Sequence, residues 1–265
     1  MNETVAPTEV KPGLIDALVS VITPVFNSEK FIEATIRSVI AQTYGQWEML
    51  VLIDAGTRDQ TAAVVERLQL EDARVRLVTV PGGRNVSDAR NYGFREARGR
   101  YVAFLDADDL WLETKLERQL TVLRDSGAPM SYSGFRRITV DGRATGREIR
   151  VPSVISYADL LKNNQIGCLT AIVDQVKTGP LVMGTDIHED FTLWLSILKR
   201  CGAAHGVQED LARYRLVPGS RSSRKLLMAG WRWRVYREQE KLSVPKALYF
   251  YAWYGILTLR KHLRF

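Results

Sequence analysis

Tyr101-Val-Ala-Phe-Leu-Asp-Ala-Asp-Asp-Leu-Trp111 runs five largely apolar residues straight into three carboxylates, Asp106, Asp108 and Asp109. A short apolar run broken off by polar residues is the pattern of a buried parallel strand reaching the carboxyl edge of its sheet. Open α/β sheets bind their ligands at that edge. Like charges so close in sequence repel unless a cation or a set of donors offsets them. Hard oxygen ligands suit Mg²⁺ or Mn²⁺, which bind through one or two carboxylates together with substrate phosphates. A second reading has the acids capping a helix that starts near Leu112, and the stretch alone leaves both open.

Working outward, strand and helix patterns alternate. Leu18-Val-Ser-Val-Ile22 is a β-type run expected to stop at Thr23-Pro24. Phe31, Ile32, Thr35, Ile36, Val39 and Ile40 keep helical spacing, with Asn27 or Ser28 as the expected cap. Trp47 to Ile53 forms a second strand ending at Asp54, and Thr57 or Asp59 opens a helix through Leu68. Arg74 to Val80 is a third strand, and Ser87 is expected to cap a helix ending before Gly99. Short connections between alternating elements mean βαβ units and a mostly parallel sheet. After Gly127 the period changes. Met130 to Phe135 reads as a strand, Asp141-Gly142 as a hairpin turn and Ser156 as the cap of a helix over Tyr157 to Lys162. Leu169 to Val173 and Leu211 to Arg215 are further strands, and Phe191, Trp194, Leu195 and Leu198 line one helical face that ends at Cys201-Gly202.

The charge is unevenly placed. Residues 224–265 hold ten Lys or Arg against Glu238 and Glu240, a balance of +8, while the other 223 residues balance to −1. Three segments are expected: a disordered lead-in over 1–17, an α/β domain over 18–223 and a basic amphipathic helical extension over 224–265. Met1 to Gly13 lacks the basic start and apolar core of a signal peptide, and the two cysteines make no disulfide framework, which fits a reducing, cytoplasmic setting. No apolar stretch reaches the roughly 18 residues of a spanning helix. Ala247 to Leu259 is apolar and aromatic between Lys246 and Arg260-Lys261, which suits either the inner-leaflet headgroup region or packing on the domain with its cations turned outward. No nucleic-acid-binding motif accompanies the positive charge, so no nucleic-acid partner is expected.

Polar residues follow three separate strands: Thr23-Pro24 with Asn27, Asp54, and Asp106 with Asp108. There is no G-x-G-x-x-G after the first strand and no P-loop. A nucleotide held here needs side-chain recognition of its base and a cation on its diphosphate.

In their order and spacing, Val19-Ser-Val-Ile-Thr-Pro-Val-Phe-Asn27, Ile53-Asp-Ala-Gly-Thr-Arg-Asp-Gln-Thr61, Ala89-Arg-Asn91, Gly99 to Asp109, His188-Glu-Asp190 and Tyr214-Arg215 with Gly219-Ser220 resemble the successive motifs of the family 2 glycosyltransferases. Ile166-Gly-Cys-Leu-Thr170, Tyr214 to Pro218 and Leu242 to Ala247 resemble the bacterial teichuronic-acid-type enzymes of cell-surface polysaccharide synthesis. The resemblance implies a GT-A fold and an inverting transfer from a nucleoside-diphosphate sugar, usually a UDP-sugar, to a saccharide or lipid-linked acceptor. By position, Thr23, Pro24 and Asn27 would border the nucleoside, Asp54 the base and Asp106 the ribose. Arg90 would help hold the nucleotide, and Arg215 with the Ser220 to Ser223 loop would close over the diphosphate. Asp108 would ligate the Mn²⁺ or Mg²⁺, and Asp190 matches the catalytic base. Many members carry two adjacent aspartates where this chain has Asp54-Ala55, and Arg58 replaces a small polar residue.

The chemistry suits these residue types. Inversion needs a base on the acceptor hydroxyl opposite the leaving group, and a cation stabilises the departing diphosphate. Glu189 and Asp190 are helix neighbours that point in different directions, so one can react while the other packs or positions the acceptor. First-turn acids that only complement the helix dipole are the alternative. His188 is a structural or acceptor-contact residue, having no second histidine at ligand spacing. Trp111 either lines the sugar site or packs the following helix. A non-catalytic GT-A-like module that scaffolds a glycan-assembly complex is the competing function.

Overall fold

The computed structural model describes residue 11 and residues 13–82, 85–184, 189–217 and 225–263. In chain order the strands are β1 Ile15–Val25, β2 Trp47–Asp54, β3 Val75–Val80, β4 Gly99–Phe104, β5 Leu110–Trp111, β6 Met130–Ile138, β7 Ala144–Ile149, β8 Val154–Ile155, β9 Ile172–Asp174 and β10 Ala204–Arg215. The α-helices are α1 Ile32–Ile40, α2 Thr61–Glu71, α3 Val86–Glu96, α4 Lys115–Ser126, α5 Tyr157–Lys162, α6 Gln175–Thr178, α7 Glu189–Cys201, α8 Lys225–Arg234 and α9 Val244–Leu263. A π-helical turn, Val235–Gln239, follows α8.

One sheet carries these strands in the order β3-β2-β1-β4-β9-β6-β10-β5, with β7 added to β6 and β8 to β10. The β3-β2-β1-β4 half is parallel throughout. Beyond β4 the sheet is mixed: β9 runs antiparallel to both β4 and β6, and β10 runs parallel to β6. The continuous apolar runs of β2 and β4 are explained by burial on both faces. Met49, Val51, Tyr101 and Ala103 face a core with α1, α2 and α4, whereas Leu50, Leu52, Val102 and Phe104 face a core with α3, α5 and α7.

Local signals held in the hairpin and the α5 cap. Thr139 N–H donates to Arg143 across the Asp141-Gly142 turn, and Gly142 takes the left-handed φ of 84° that the turn requires. Ser156 and Asp159 form a reciprocal capping box on α5.

Other expectations need correction. β1 runs on through Thr23 and Pro24 to Val25, because past Ile22 it pairs with β2 alone, and its β4 side needs no donor from proline. Within the stretch expected as a 1–17 lead-in, β1 already starts at Ile15 and Lys11 Nζ donates to carbonyls of Phe94 and Arg95 at the end of α3, while residues 1–10 lie outside the described residues. Neither Asn27 nor Ser28 caps α1, which starts behind Phe31 without a side-chain cap. Asn85, rather than Ser87, caps α3 by accepting from Asp88 N–H. The helix expected near Leu112 is α4, which starts at Lys115 behind Thr114, and before it the chain enters β5, hydrogen-bonded to β10. The carboxylates of 106–109 are therefore not helix caps.

The basic extension is helical and packs on the domain. Trp231, Val235, Tyr236 and Ala247 are buried in the same core as α7. Arg232 lies between the rings of Phe191 and Tyr254, at 4.2 and 4.5 Å.

Candidate active site

β2, β1 and β4 are parallel neighbours, so their carboxyl ends share one edge. Asp54 ends β2, and Asp106 follows β4 one strand beyond β1, two strand spacings away, or about 10 Å. Asp54 Oδ1 accepts from Gly56 N–H at 2.6 Å, which folds the loop after β2 back on itself. Asn27 sits in the left-handed region, with φ 47°, and its Oδ1 accepts from Arg58 N–H at 2.9 Å. It thus ties the loop after β1 to the loop after β2. Arg58, the departure from a small polar residue, is exposed, and its backbone serves this contact. Pro24 is half-buried at the edge, whereas Thr23 is fully buried and its Oγ1 has no partner among the described residues.

The acidic loop after β4 is pinned from two sides. Thr35 of α1 donates its hydroxyl to the carbonyls of Ala107 and Asp109, at 2.8 and 2.9 Å. From β10, Arg215 N–H donates to the Asp109 carboxylate at 2.8 Å, and Arg215 Nε donates to the Asp108 carbonyl at 2.7 Å. Asp109 is thereby consumed inside the protein. Burial, then the charges of Asp106 and Asp108, push its pKa well above the carboxylate range. Asp108 is half-buried and makes no ion pair among the described residues. Burial, then Asp106, raises it to about 6.

Arg90 joins this loop to the start of α7. α3 lies close on the sheet at Gly93, where a Cβ would come within 2.7 Å of Leu52 and 3.1 Å of Ile22. One turn earlier, the buried guanidinium of Arg90 donates from Nη2 to Asp106 at 2.5 Å and from Nη1 to Glu189 at 3.0 Å. Beside it, the Asn91 side chain bonds both N–H and carbonyl of Met183, at 2.8 Å each, fixing the segment that leads toward α7. Asp190 is the next residue in the first turn of α7. Its Oδ1 accepts from Phe191 N–H at 2.7 Å. Burial, then Glu189, raises its pKa to about 6, against the opposing influence of Arg90.

Asp54, Asp106, Asp108 and the Glu189-Asp190 pair thus gather at one edge through the sheet and Arg90. Two expected roles change. Arg90 is not an open nucleotide contact, because both Nη atoms are taken by carboxylates. Arg215 is not a free clamp: its guanidinium serves the carbonyls of Asp108, Thr139 and Val140, held there by the β6–β7 turn, with the Phe31 ring 5.0 Å away. Trp111 is buried and donates Nε1–H to Leu169, so it packs rather than lining a sugar site. His188 and the Ser220 to Ser223 loop lie outside the described residues.

Residues 20–179 match the family model described as Glycosyl transferase family 2. The chain belongs to that family. This family 2 glycosyltransferase is 39% identical to TuaG of Bacillus subtilis (strain 168), a glycosyltransferase named for teichuronic acid biosynthesis, over 93% of its own length and 98% of the relative's. It is 34% identical to the Escherichia coli UDP-Glc:alpha-D-GlcNAc-diphosphoundecaprenol beta-1,3-glucosyltransferase WfgD, over 93% and 96% of the two chains. Among solved structures it is similar to the mannosyltransferase PcManGT from Pyrobaculum calidifontis in complex with GDP-Man and Mn²⁺, with TM-score 0.66, 18% identity, and 89% of this chain and 68% of that one covered. S. aureus TarS 1-349 in complex with UDP-GlcNAc gives TM-score 0.65 at 18% identity, covering 78% of this chain and 60% of that one. The fold is GT-A.

Among the described residues no three His, Cys, Asp or Glu side chains come together as a metal cage. The glycosyltransferase instead offers Asp108, a carboxylate with no ion pair among the described residues, beside Asp106. Such a donor set fits a cation that completes its shell with substrate phosphates. The sequence reading missed Phe26. It is 58% exposed just past β1, and its ring lies 3.4 Å from where a Cβ on Gly56 would stand, so it borders the Asp54 loop. An aromatic between Pro24 and Asn27, beyond the buried part of a strand, is the signal that pointed to it.

Proposed function

We propose that this enzyme moves a hexosyl unit, with inversion, from a UDP-sugar to a hydroxyl of a lipid-linked saccharide at the inner face of the cell membrane, in the assembly of a cell-surface polysaccharide, with Mn²⁺ or Mg²⁺. The observation that supports the reading is the Arg90 bridge between Asp106 and Glu189, the neighbour of Asp190 in the first turn of α7. The two relatives named for teichuronic acid and for a diphosphoundecaprenol-linked acceptor support the polymer and the acceptor class. The UDP-GlcNAc complex and the Mn²⁺ complex of the fold neighbours support the donor and the cation.

Phe26 presents an exposed ring on which a base stacks, beside Asp54, whose second carboxylate oxygen is open to an imide N–H. Pro24 and Asn27 shape the loop that borders the nucleoside. Asp106, held in place by Arg90, accepts from ribose hydroxyls. Asp108, with its backbone fixed by Arg215, would hold the cation. When bound, that cation neutralises charge developing on the departing diphosphate. Asp190 takes the proton of the acceptor hydroxyl, and a pKa raised to about 6 makes it a stronger base than an exposed carboxylate. Glu189 neutralises Arg90 and does not react.

Asp190→Asn should lower kcat by about 100- to 10,000-fold, the range for losing a general base, while UDP binding by calorimetry is retained. Asp108→Asn should abolish the Mn²⁺ dependence of UDP binding. Normal turnover in Asp190→Asn would remove the assigned base.

A further inference from the structure

We infer that the outward face of α9 is a docking surface for an anionic lipid bilayer; this rests on the proposed lipid-linked acceptor. One side of α9 is spent on the protein. Ala247 is buried, Phe250 and Tyr251 pack against Tyr236 and Trp233, and Tyr254 covers Arg232. The opposite side carries Leu248, Tyr249, Ala252 and Ile256 at helical spacing. Leu248 and Tyr249 are each 54% exposed and Ile256 44%. A lone exposed apolar side chain means little, but a continuous stripe of them marks an interaction surface.

The charge around the stripe selects the partner. Lys241 and Lys246 are exposed at its amino end, Arg260 and Lys261 follow in sequence at the other, and residues 224–265 balance to +8 against −1 for the rest. An apolar stripe with aromatic residues and flanking cations lies in the plane of a membrane interface, with anionic headgroups around its cations. No described helix is long and apolar enough to cross a membrane. The surface is also tied to the reaction centre. Arg232 fills the space between Tyr254 of α9 and Phe191, the residue after Asp190, and Trp231 stacks edge-on against Phe191 at 5.8 Å between centroids. The leaflet-bound helix therefore sets the position of the catalytic helix over the lipid-linked substrate.

The test uses the full chain and sedimentation with phosphatidylcholine vesicles, with and without phosphatidylglycerol. The wild type should bind the anionic vesicles, less as salt rises. Leu248→Glu/Ile256→Glu should weaken that binding at least about tenfold. Lys241→Glu/Lys246→Glu, changed at exposed positions only, should weaken it as well. Melting temperature and UDP binding in vesicle-free buffer, read on each variant, separate loss of docking from loss of fold or of donor chemistry. Wild-type protein that ignores anionic vesicles, folded variants that bind like wild type, or a wild-type dimer in solution that Leu248→Glu/Ile256→Glu dissolves would each overturn the assignment, the last by making a second copy the occupant.

Discussion

The two halves of the sheet are built differently and hold different parts of the site. β3-β2-β1-β4 is a parallel unit drawn from one continuous stretch of chain, and it presents Asp54, Asp106 and Asp108 at its carboxyl edge. The mixed half, from β9 to β5, brings the carboxyl ends of β6 and β10 to the same edge, because both strands run in the direction of β4. From it Arg215, the last residue of β10, holds the acidic loop through its backbone N–H and its Nε, and Glu189 and Asp190 come from the start of α7. In the proposed reading the donor side therefore rests on the parallel edge, whereas the proposed base, Asp190, is kept in register through its neighbour Glu189 and one arginine. Arg90→Met should show this most strongly. It leaves Glu189 and Asp106 without a counter-ion, and a buried pair broken from one side costs about 3–5 kcal/mol. The Asp106 side chain is 39% exposed, so the lower end of that range is expected in urea melts. Activity should fall by at least about 100-fold, because the base loses its alignment. Arg90→Lys should recover more stability than rate, since a point cation does not span two carboxylates as the guanidinium fork does. A folded Arg90→Met enzyme with unchanged kcat would mean the halves are not coupled in this way.

Acidity probes the same division. Asp190 has to be ionised to act as a base, and burial with Glu189 beside it raises its pKa to about 6. Asp108 rises to about 6 through burial and Asp106. Below that pH both take up a proton, so kcat/KM at limiting Mn²⁺ should fall by about 100-fold per pH unit. Saturating Mn²⁺ displaces the proton from Asp108, and the slope should relax to about tenfold per unit, the Asp190 contribution alone. A limb centred near 4 at both metal levels would sever the link between burial and basicity. A smaller effect, confined to the parallel half, is expected for Phe26→Ala. Loss of the stacking ring should raise the KM for a UDP-sugar by about tenfold with kcat nearly unchanged, in line with about 1–3 kcal/mol per stacked base.

Legibility in the sequence followed the same division. The parallel half has long two-sided apolar strands with helices between them, and its elements were placed to within a few residues. The mixed half relies on pieces too short to show a period: β5 and β8 are two residues each and β9 three. β10 was expected only over Leu211 to Arg215 because Gln208-Glu209-Asp210 interrupts the apolar pattern. The structure absorbs that interruption as irregular register against β6. Site residues followed a related rule. Asp54 was readable because it ends β2, and Asp106 and Asp108 because they follow the apolar run of β4. The partners of Arg90 were not, since Asp106 and Glu189 lie 16 and 99 positions away and no local pattern links them. Arg215 was read as a ligand-facing cation for the same reason, its carbonyl partners being remote in sequence.

Buried charge is also handled unevenly. Arg90 is surrounded by carboxylates, whereas Lys115, at the start of α4, is fully buried with Nζ making no hydrogen bond among the described residues and lying 4.1 Å from the centre of the Trp111 ring. Burial pulls the Lys115 pKa well below that of a free lysine. The unfolded chain therefore binds a proton at neutral pH that the native state resists, and stability falls as the pH drops below the unfolded value, down to the folded one. Lys115→Met keeps the length of the side chain and removes the titrating group. It should raise stability by about 1–2 kcal/mol at pH 7, with a gain that shrinks as the pH rises toward 10, and leave kcat and KM at their wild-type values. If the cation–ring contact outweighs desolvation, urea melts across that range will instead show a loss that is greatest at low pH.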